Sequence, residues 1–299
     1  MKNLGLYLLT VLIWGSTWYV ITFQLGTVDP FLSVGYRFLL ASVFLFAFCA
    51  ATGRLKVKFT RRQHGFVLLQ GILLFCLNYW ATYSSTAHLT SGLVALCFST
   101  LIILNIINQA LFFKMPIKPM VVLGAAMGLG GIALVFQPEI KTLSFEDETL
   151  IGIAYCLFGT VLVSFGNMTA MRNNRDDMPV ILTNTYGMLY GGLIAFVIAL
   201  LSGSPLVFDT SFNYIWSLVY LAVLGSAVAF GCYLTLMRSI GADKAAYATV
   251  MFPIVALGVS TVFEGYVWTP QSIAGMVLIL AGNVVAMKRD KPLLKQNPA

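Results

Sequence analysis

Residues 78–108 read NYWATYSSTAHLTSGLVALCFSTLIILNIIN, a strongly apolar run that turns back on itself and carries many amides and hydroxyls. At helical spacing Asn78, Thr82 and Ser85 fall on one face, with Tyr79, Trp80 and Tyr83 alongside. Phe98, Ile102, Asn105 and Gln109 fall on another. Polar side chains in hydrocarbon cost free energy unless they pair with each other or with water. The spacing therefore predicts two antiparallel helices lining a path through a membrane. The alternative is hydrogen-bond glue between packed helices.

The rest of the chain agrees with a membrane setting. Of 299 residues 59% are hydrophobic and 10% charged, with mean hydropathy +0.87, whereas soluble domains carry about 25% charged residues. A soluble globule is excluded. The formal charge of +7 resides in short connections between apolar runs, which reports orientation and not a nucleic-acid partner. The cysteines, Cys49, Cys76, Cys97, Cys156 and Cys232, are scattered through apolar segments, so neither a disulfide framework nor a metal site is expected. No cofactor is implied.

Ten stretches are long enough to span: 4–23, 31–52, 65–86, 90–113, 119–137, 150–171, 179–201, 213–236, 244–263 and 271–287. The first, preceded by one lysine and followed by no small-residue cleavage site, reads as a retained helix. With a cytoplasmic N-terminus, sixteen of the 18 lysines and arginines fall inside, only Lys141 falls outside, and Arg37 lies within helix 2. This asymmetry predicts ten helices with both termini cytoplasmic.

Pairing Gly5 with Gly152, Pro30 with Pro179, Leu89 with Ile240, Pro119 with Pro270, Gly124 with Gly275 and Gly131 with Gly282 requires offsets of 147 to 151. The expected fold is an all-α polytopic membrane protein of ten transmembrane helices in two five-helix repeats. Five is odd, so the second repeat enters the membrane inverted, the arrangement that gives carriers two states around a midplane site. Residues 1–140 form the first repeat, 141–149 an extracytoplasmic loop, 150–290 the second repeat and 291–299 a cytoplasmic tail. Gly124 and Gly128, Gly187 and Gly191, and Gly275 and Gly282 mark helices 5, 7 and 10 as packing helices.

On these residues the chain resembles the drug/metabolite transporter superfamily, and within it the EamA family of ten-helix bacterial carriers. The resemblance rests on WGSTW at Trp14 to Trp18, on Pro30 and Arg37 within PFLSVGYRFLLA, on Asn78 with the Tyr83 and Ala87 region, and on Pro253 with Glu264 in helix 9. The first half departs from it, having Ile102 and Phe113 where the second has Pro253 and Glu264, which would leave helix 4 straighter than helix 9. The resemblance implies a carrier of small metabolites in the cell inner (plasma) membrane, often an amino-acid exporter, with one branch handling aromatic amino acids. It also implies a cavity built mainly by helices 1, 3, 4, 6, 8 and 9.

The candidate substrate-binding residues are Trp14, Thr17, Trp18, Asn78, Thr82, Tyr83, Phe98, Asn105, Asn167 and Tyr247. Trp14 lies ten residues into its helix, about 15 Å deep, below the interfacial belt. Aromatic faces stack on an apolar group and amides bind a polar end. Each of these aromatics could equally be packing. Gly124, Gly128, Arg37, Pro253 and Glu264 are assigned gating or structural roles. Arg37 reads as an anchor with Asp29 or Glu264 as partner, and Pro253 as a kink that frees a carbonyl near the site.

Near the helices only Glu264 and His88 could bind a proton around neutral pH, and no Asp, Glu or His lies at mid-membrane depth. This predicts a facilitative or weakly coupled carrier. Phosphorylated solutes would need a cation in the path. The leading expectation is alternating-access transport of small neutral or zwitterionic metabolites, amino acids leaving the cell among them. The alternatives are efflux of drug-like or quaternary amines through aromatics and Glu264, and a non-transporting receptor or scaffold. No paired carboxylates, histidine cluster or Ser/His arrangement supports an enzyme. The expected partners are a small solute and the lipid bilayer, without nucleic acid; monomer and homodimer both remain open.

Overall fold

The computed structural model describes residues 2–117, 119–136, 148–240 and 242–287. Lys118, residues 141–147 of the expected loop and the 291–299 tail lie outside them. The described residues are helical with no strand. The helices are α1 (Lys2–Thr22), α2 (Pro30–Ala51), α3 (Arg61–Thr86), α4 (Ser91–Phe113), α5 (Pro119–Val135), α6 (Glu148–Arg175), α7 (Val180–Leu201), α8 (212–240), α9 (Ala242–Phe263) and α10 (Pro270–Met287). Seven contain segments long and apolar enough to cross a membrane, and α5, α9 and α10 contribute shorter apolar segments.

The helix starts follow from local chemistry. Asp29 accepts the Phe31 N–H at 2.8 Å with Pro30 in the first turn of α2. Thr60 and Gln63 form a reciprocal capping box at α3. Ser211, 151 residues after Thr60, caps α8 by accepting the Tyr214 N–H at 3.3 Å. Both α3 and α8 contain a widened stretch with i→i+5 bonding, Ile72–Leu77 and Tyr220–Val228. The described residues with positive φ also pair along the chain: Gly26 with Asp177, Gly53 with Gly203 and Lys114 with Gly265, at offsets of 151, 150 and 151.

Glycine contacts repeat the correspondence in three dimensions. A methyl group on Gly124 would lie 2.5 Å from the Gly282 carbonyl oxygen, and one on Gly131 2.6 Å from that of Gly275. Offset by 151, Gly124 becomes Gly275 and Gly131 becomes Gly282, so the two contacts exchange. Backbone meets backbone along α5 and α10, leaving no room for a side chain. Gly128 lies in the same interface, with Ile103 beside it.

Helices α4 and α9 differ in continuity. α9 runs unbroken through Pro253, whereas α4 is interrupted at Ser99 and Thr100. Their hydroxyls donate to the Leu96 and Cys97 carbonyls at 2.6 and 2.8 Å. Hydroxyls that bond their own backbone compete with the helical ladder, a local effect that a search for proline misses.

Contacts define two ends of the bundle. At one, Arg172 lies 3.4 Å from the Phe66 ring centroid and Arg175 4.1 Å from that of Phe113, gathering the start of α3 with the ends of α4 and α6. This is the basic end. At the far end Gln24 donates to the Tyr214 carbonyl at 2.9 Å, while His88 Nδ1 lies 3.9 Å from Glu148. Glu264, at the end of α9, accepts the Ser91 N–H and hydroxyl at the start of α4.

Candidate functional site

Between the helices lies a cavity of about 530 Å³, within the usual range of small-molecule sites. From α1 it receives Trp14, Thr17 and Trp18; from α3 Asn78, Tyr79 and Thr82; from α4 Phe98, Ile102, Asn105 and Gln109. Asn167 of α6, Asn184 of α7, Phe230 and Tyr233 of α8, and Phe252 and Pro253 of α9 also line it. Along α4 the lining runs from Ala95 to Gln109, about 21 Å at 1.5 Å per residue. Its residues include no Asp, Glu, His, Lys or Arg among those described.

One wall is aromatic. The Trp14 ring centroid lies 5.0 Å from Phe230, 5.3 Å from Tyr233 and 5.5 Å from Phe252. The indole N–H donates to the Gly225 carbonyl at 2.9 Å, in the widened turn of α8. Trp18 meets Phe98 edge-on at 5.9 Å.

Amides from α3, α4 and α6 form another part of the lining. The amide N–H of Asn78 donates to the Leu74 carbonyl at 3.3 Å, and the Thr82 hydroxyl donates to the Asn78 carbonyl at 2.9 Å. Asn167 donates to the Asn105 side-chain oxygen at 3.2 Å, joining α6 to α4. One turn further, Asn108 donates to Ser164 at 2.7 Å, away from the cavity. At the basic end Gln70 donates to Asn184 at 2.9 Å and accepts from Asn173 at 2.9 Å. Gly187 and Gly191 make this reach possible: a methyl on Gly71 would lie 2.5 Å from the Gly187 carbonyl oxygen, so α3 and α7 touch by backbone.

Of the residues singled out from sequence, Trp14, Thr17, Trp18, Asn78, Thr82, Phe98, Asn105, Asn167 and Pro253 share this cavity. Tyr83 does not: it is fully buried in the core with Val34, Phe38 and Leu221. Tyr247 belongs to α9, but its side chain lies outside the described residues. Ser85, on the same nominal face as Asn78, donates to the Gly152 carbonyl of α6 at 2.8 Å.

Arg37 is 1% exposed. Its guanidinium lies 4.5 Å from the Tyr79 ring and 5.2 Å from Phe38, and Nε and Nη1 have no hydrogen-bond partner. The expected carboxylate partners are engaged elsewhere, Asp29 at its own helix start and Glu264 on Ser91. Tyr79 lines the cavity, so this cation stands behind a cavity wall. A desolvated cation over an aromatic face gains about 2 kcal/mol.

Sequence reasoning missed Asn184, Phe230, Tyr233, Thr249 and Phe252, all of which line the cavity. Pro253 signalled the α9 contribution, since Thr249 lies one turn before it.

Comparison with known proteins follows the same lines. The profile of the EamA-like transporter family matches twice, over residues 1–137 and 150–287. The chain is similar to protein PagO of Salmonella typhimurium, 24% identical over 277 residues, covering 93% of this chain and 90% of that one. It is also similar to the uncharacterized inner membrane transporter YedA of Escherichia coli, 26% identical over 255 residues, covering 85% and 80%. A solved crystal structure superposes with a TM-score of 0.69 at 18% identity, covering 95% of this chain and 96% of the other, a likeness of fold.

Proposed function

Because the chain belongs to the EamA-like transporter family, and is therefore a membrane transporter and not an enzyme, we propose that it moves small neutral or zwitterionic metabolites by alternating access. Amino acids leaving the cell, aromatic ones included, are the substrates this reading favours. The observation that carries it is the lining: aromatic rings and carboxamides in one cavity, and no ionisable carboxylate, imidazole or cation among the described lining residues. Rings receive an apolar group and amides a polar end. On this reading Trp14, Thr17, Trp18, Asn78, Thr82, Phe98, Asn105 and Asn167 contact the solute.

Two inverted five-helix repeats make up the proposed architecture. The double family match, the paired positive-φ residues and the exchanging glycine contacts of α5 and α10 support it. We place the basic end, with Arg172 and Arg175, in the cytoplasm of a cell with YedA-like inner-membrane transport, by the excess of Lys and Arg there.

The test is solute counterflow in proteoliposomes with labelled L-phenylalanine and L-threonine, with the other amino acids as competitors. Protein-dependent exchange supports the reading, and no exchange with any amino acid refutes it. The cluster of Trp14, Phe230, Tyr233 and Phe252 also suits a quaternary ammonium. Protein-dependent exchange of tetraethylammonium but of no amino acid would select that second reading.

A further inference from the structure

A buried chain of side-chain amides runs from Arg172 at the basic end to the cavity. Arg172 Nη1 donates to Asn173 Oδ1 at 3.2 Å, Asn173 Nδ2 to Gln70 Oε1 at 2.9 Å, and Gln70 Nε2 to Asn184 Oδ1 at 2.9 Å. Asn173 and Gln70 are 0% and 1% exposed and Asn184 is 9% exposed, so water does not offer substitute partners along the chain. Arg172 is itself held by Asp176 at 2.8 Å and by the Phe66 ring.

An amide has a donor side and an acceptor side, and either order of a chain of amides satisfies its internal bonds equally well. A guanidinium breaks the tie, because it donates and never accepts. With Arg172 donating, Asn173 must present its oxygen to it and its NH2 to Gln70. Gln70 must then accept from Asn173 and donate to Asn184. Asn184 must receive through its oxygen, which leaves its NH2 as the group facing the cavity it lines. Turning over any single amide would set NH2 against NH2, or oxygen against oxygen, at a buried contact.

We propose that Arg172, Asn173 and Gln70 act as positioning residues that hold Asn184 as a hydrogen-bond donor, and that Asn184 receives an acceptor group of the solute, a carboxylate or carbonyl oxygen. This rests on the transport reading and deepens it, for it selects against solutes whose only polar group is an amine. The carboxylate is the stronger acceptor, because hydrogen bonds to charged groups exceed those to neutral ones.

Thermal shifts of the purified full-length protein test this, with amino acids of graded side chain, the deaminated acid of each and the decarboxylated amine of each as probes. Wild type is expected to bind the acids and amino acids and to bind the amines about tenfold more weakly, the scale of one hydrogen bond. In Gln70→Glu, assayed at a pH high enough to ionise the buried carboxyl, the side chain only accepts, so Asn184 must turn its NH2 towards it and present oxygen to the cavity. The preference for acid over amine should then disappear or reverse. Arg172→Gln removes the tie-breaking donor and should weaken the preference without reversing it. Gln70→Ala leaves Asn184 free to turn either way and should weaken the preference without reversing it, so a reversal in Gln70→Glu is not the mere loss of the glutamine side chain. A folded, monodisperse Gln70→Glu protein that keeps the wild-type preference overturns the proposal. So does a wild type that binds no acid-bearing probe, or that binds acids and amines alike. Counterflow separates this from the transport reading: the expected preference without flux refutes transport alone, whereas flux with an unchanged preference in Gln70→Glu refutes the relay alone.

Discussion

The indole N–H of Trp14 reaches the Gly225 carbonyl at 2.9 Å across 211 residues of sequence, tying the middle of α1 to the widened turn of α8. A methyl on Gly225 would sit 3.1 Å from Thr17 Cγ2, so the two helices are close at this point. The bond fixes the ring at the centre of the aromatic wall.

Trp14→Phe keeps a ring but deletes the donor, and should lower stability by about 1 kcal/mol. Trp14→Ala also removes the wall and should reduce counterflow by about tenfold or more. Thermal denaturation in detergent and initial exchange rates measure the two effects. A Phe variant matching wild type in both would show that the bond contributes nothing.

Gly124→Ala and Gly275→Ala place a methyl against a backbone carbonyl at 2.5 Å in each case. Each should destabilise by about 1–3 kcal/mol, and by similar amounts, since they occupy exchanging positions. Unequal losses measured by thermal denaturation would count against the proposed two-fold relation of α5 and α10.

Glu264 and Ser91 join the end of α9 to the start of α4 through the Ser91 N–H and hydroxyl. A double-mutant cycle of Glu264→Gln and Ser91→Ala should give a coupling of about 1–3 kcal/mol. Neither change should alter which solutes bind. Additive effects on stability, or a changed solute preference, would place Glu264 in another role.

The described lining offers no Asp, Glu or His to carry a proton. Initial exchange should therefore be the same with and without an imposed pH gradient, as measured by uptake into proteoliposomes. Accumulation of solute against its gradient only when the pH gradient is present would refute facilitative transport.

Hydropathy located the helices because each must bury its backbone polarity within itself, a constraint that leaves a continuous apolar run. The polar faces of α3 and α4 were legible for the same reason, and Asn78, Thr82, Phe98, Ile102, Asn105 and Gln109 all line the cavity. A polar face does not reveal whether open space or a neighbouring carbonyl lies opposite, which is why Ser85 meets Gly152 instead. Tyr83 follows Thr82 by one residue, a rotation of about 100° at 3.6 residues per turn, and lies in the core beside α2 and α8. Phe230, Tyr233 and Phe252 could not be told from the other aromatics in a chain with 22 Phe and 13 Tyr. Asn184 was hidden in a helix whose glycines signalled packing, and its partner Gln70 lies 114 residues away.

The glycine seam of α5 and α10 has a further use. Neither helix contributes a residue to the cavity lining, and their backbones touch with no intervening side chain. Any rearrangement that opens the solute path can leave this strut unstretched. A pair of spin labels, one on the lipid side of each strut helix, would supply an internal ruler against which the travel of α1, α4 and α8 could be gauged.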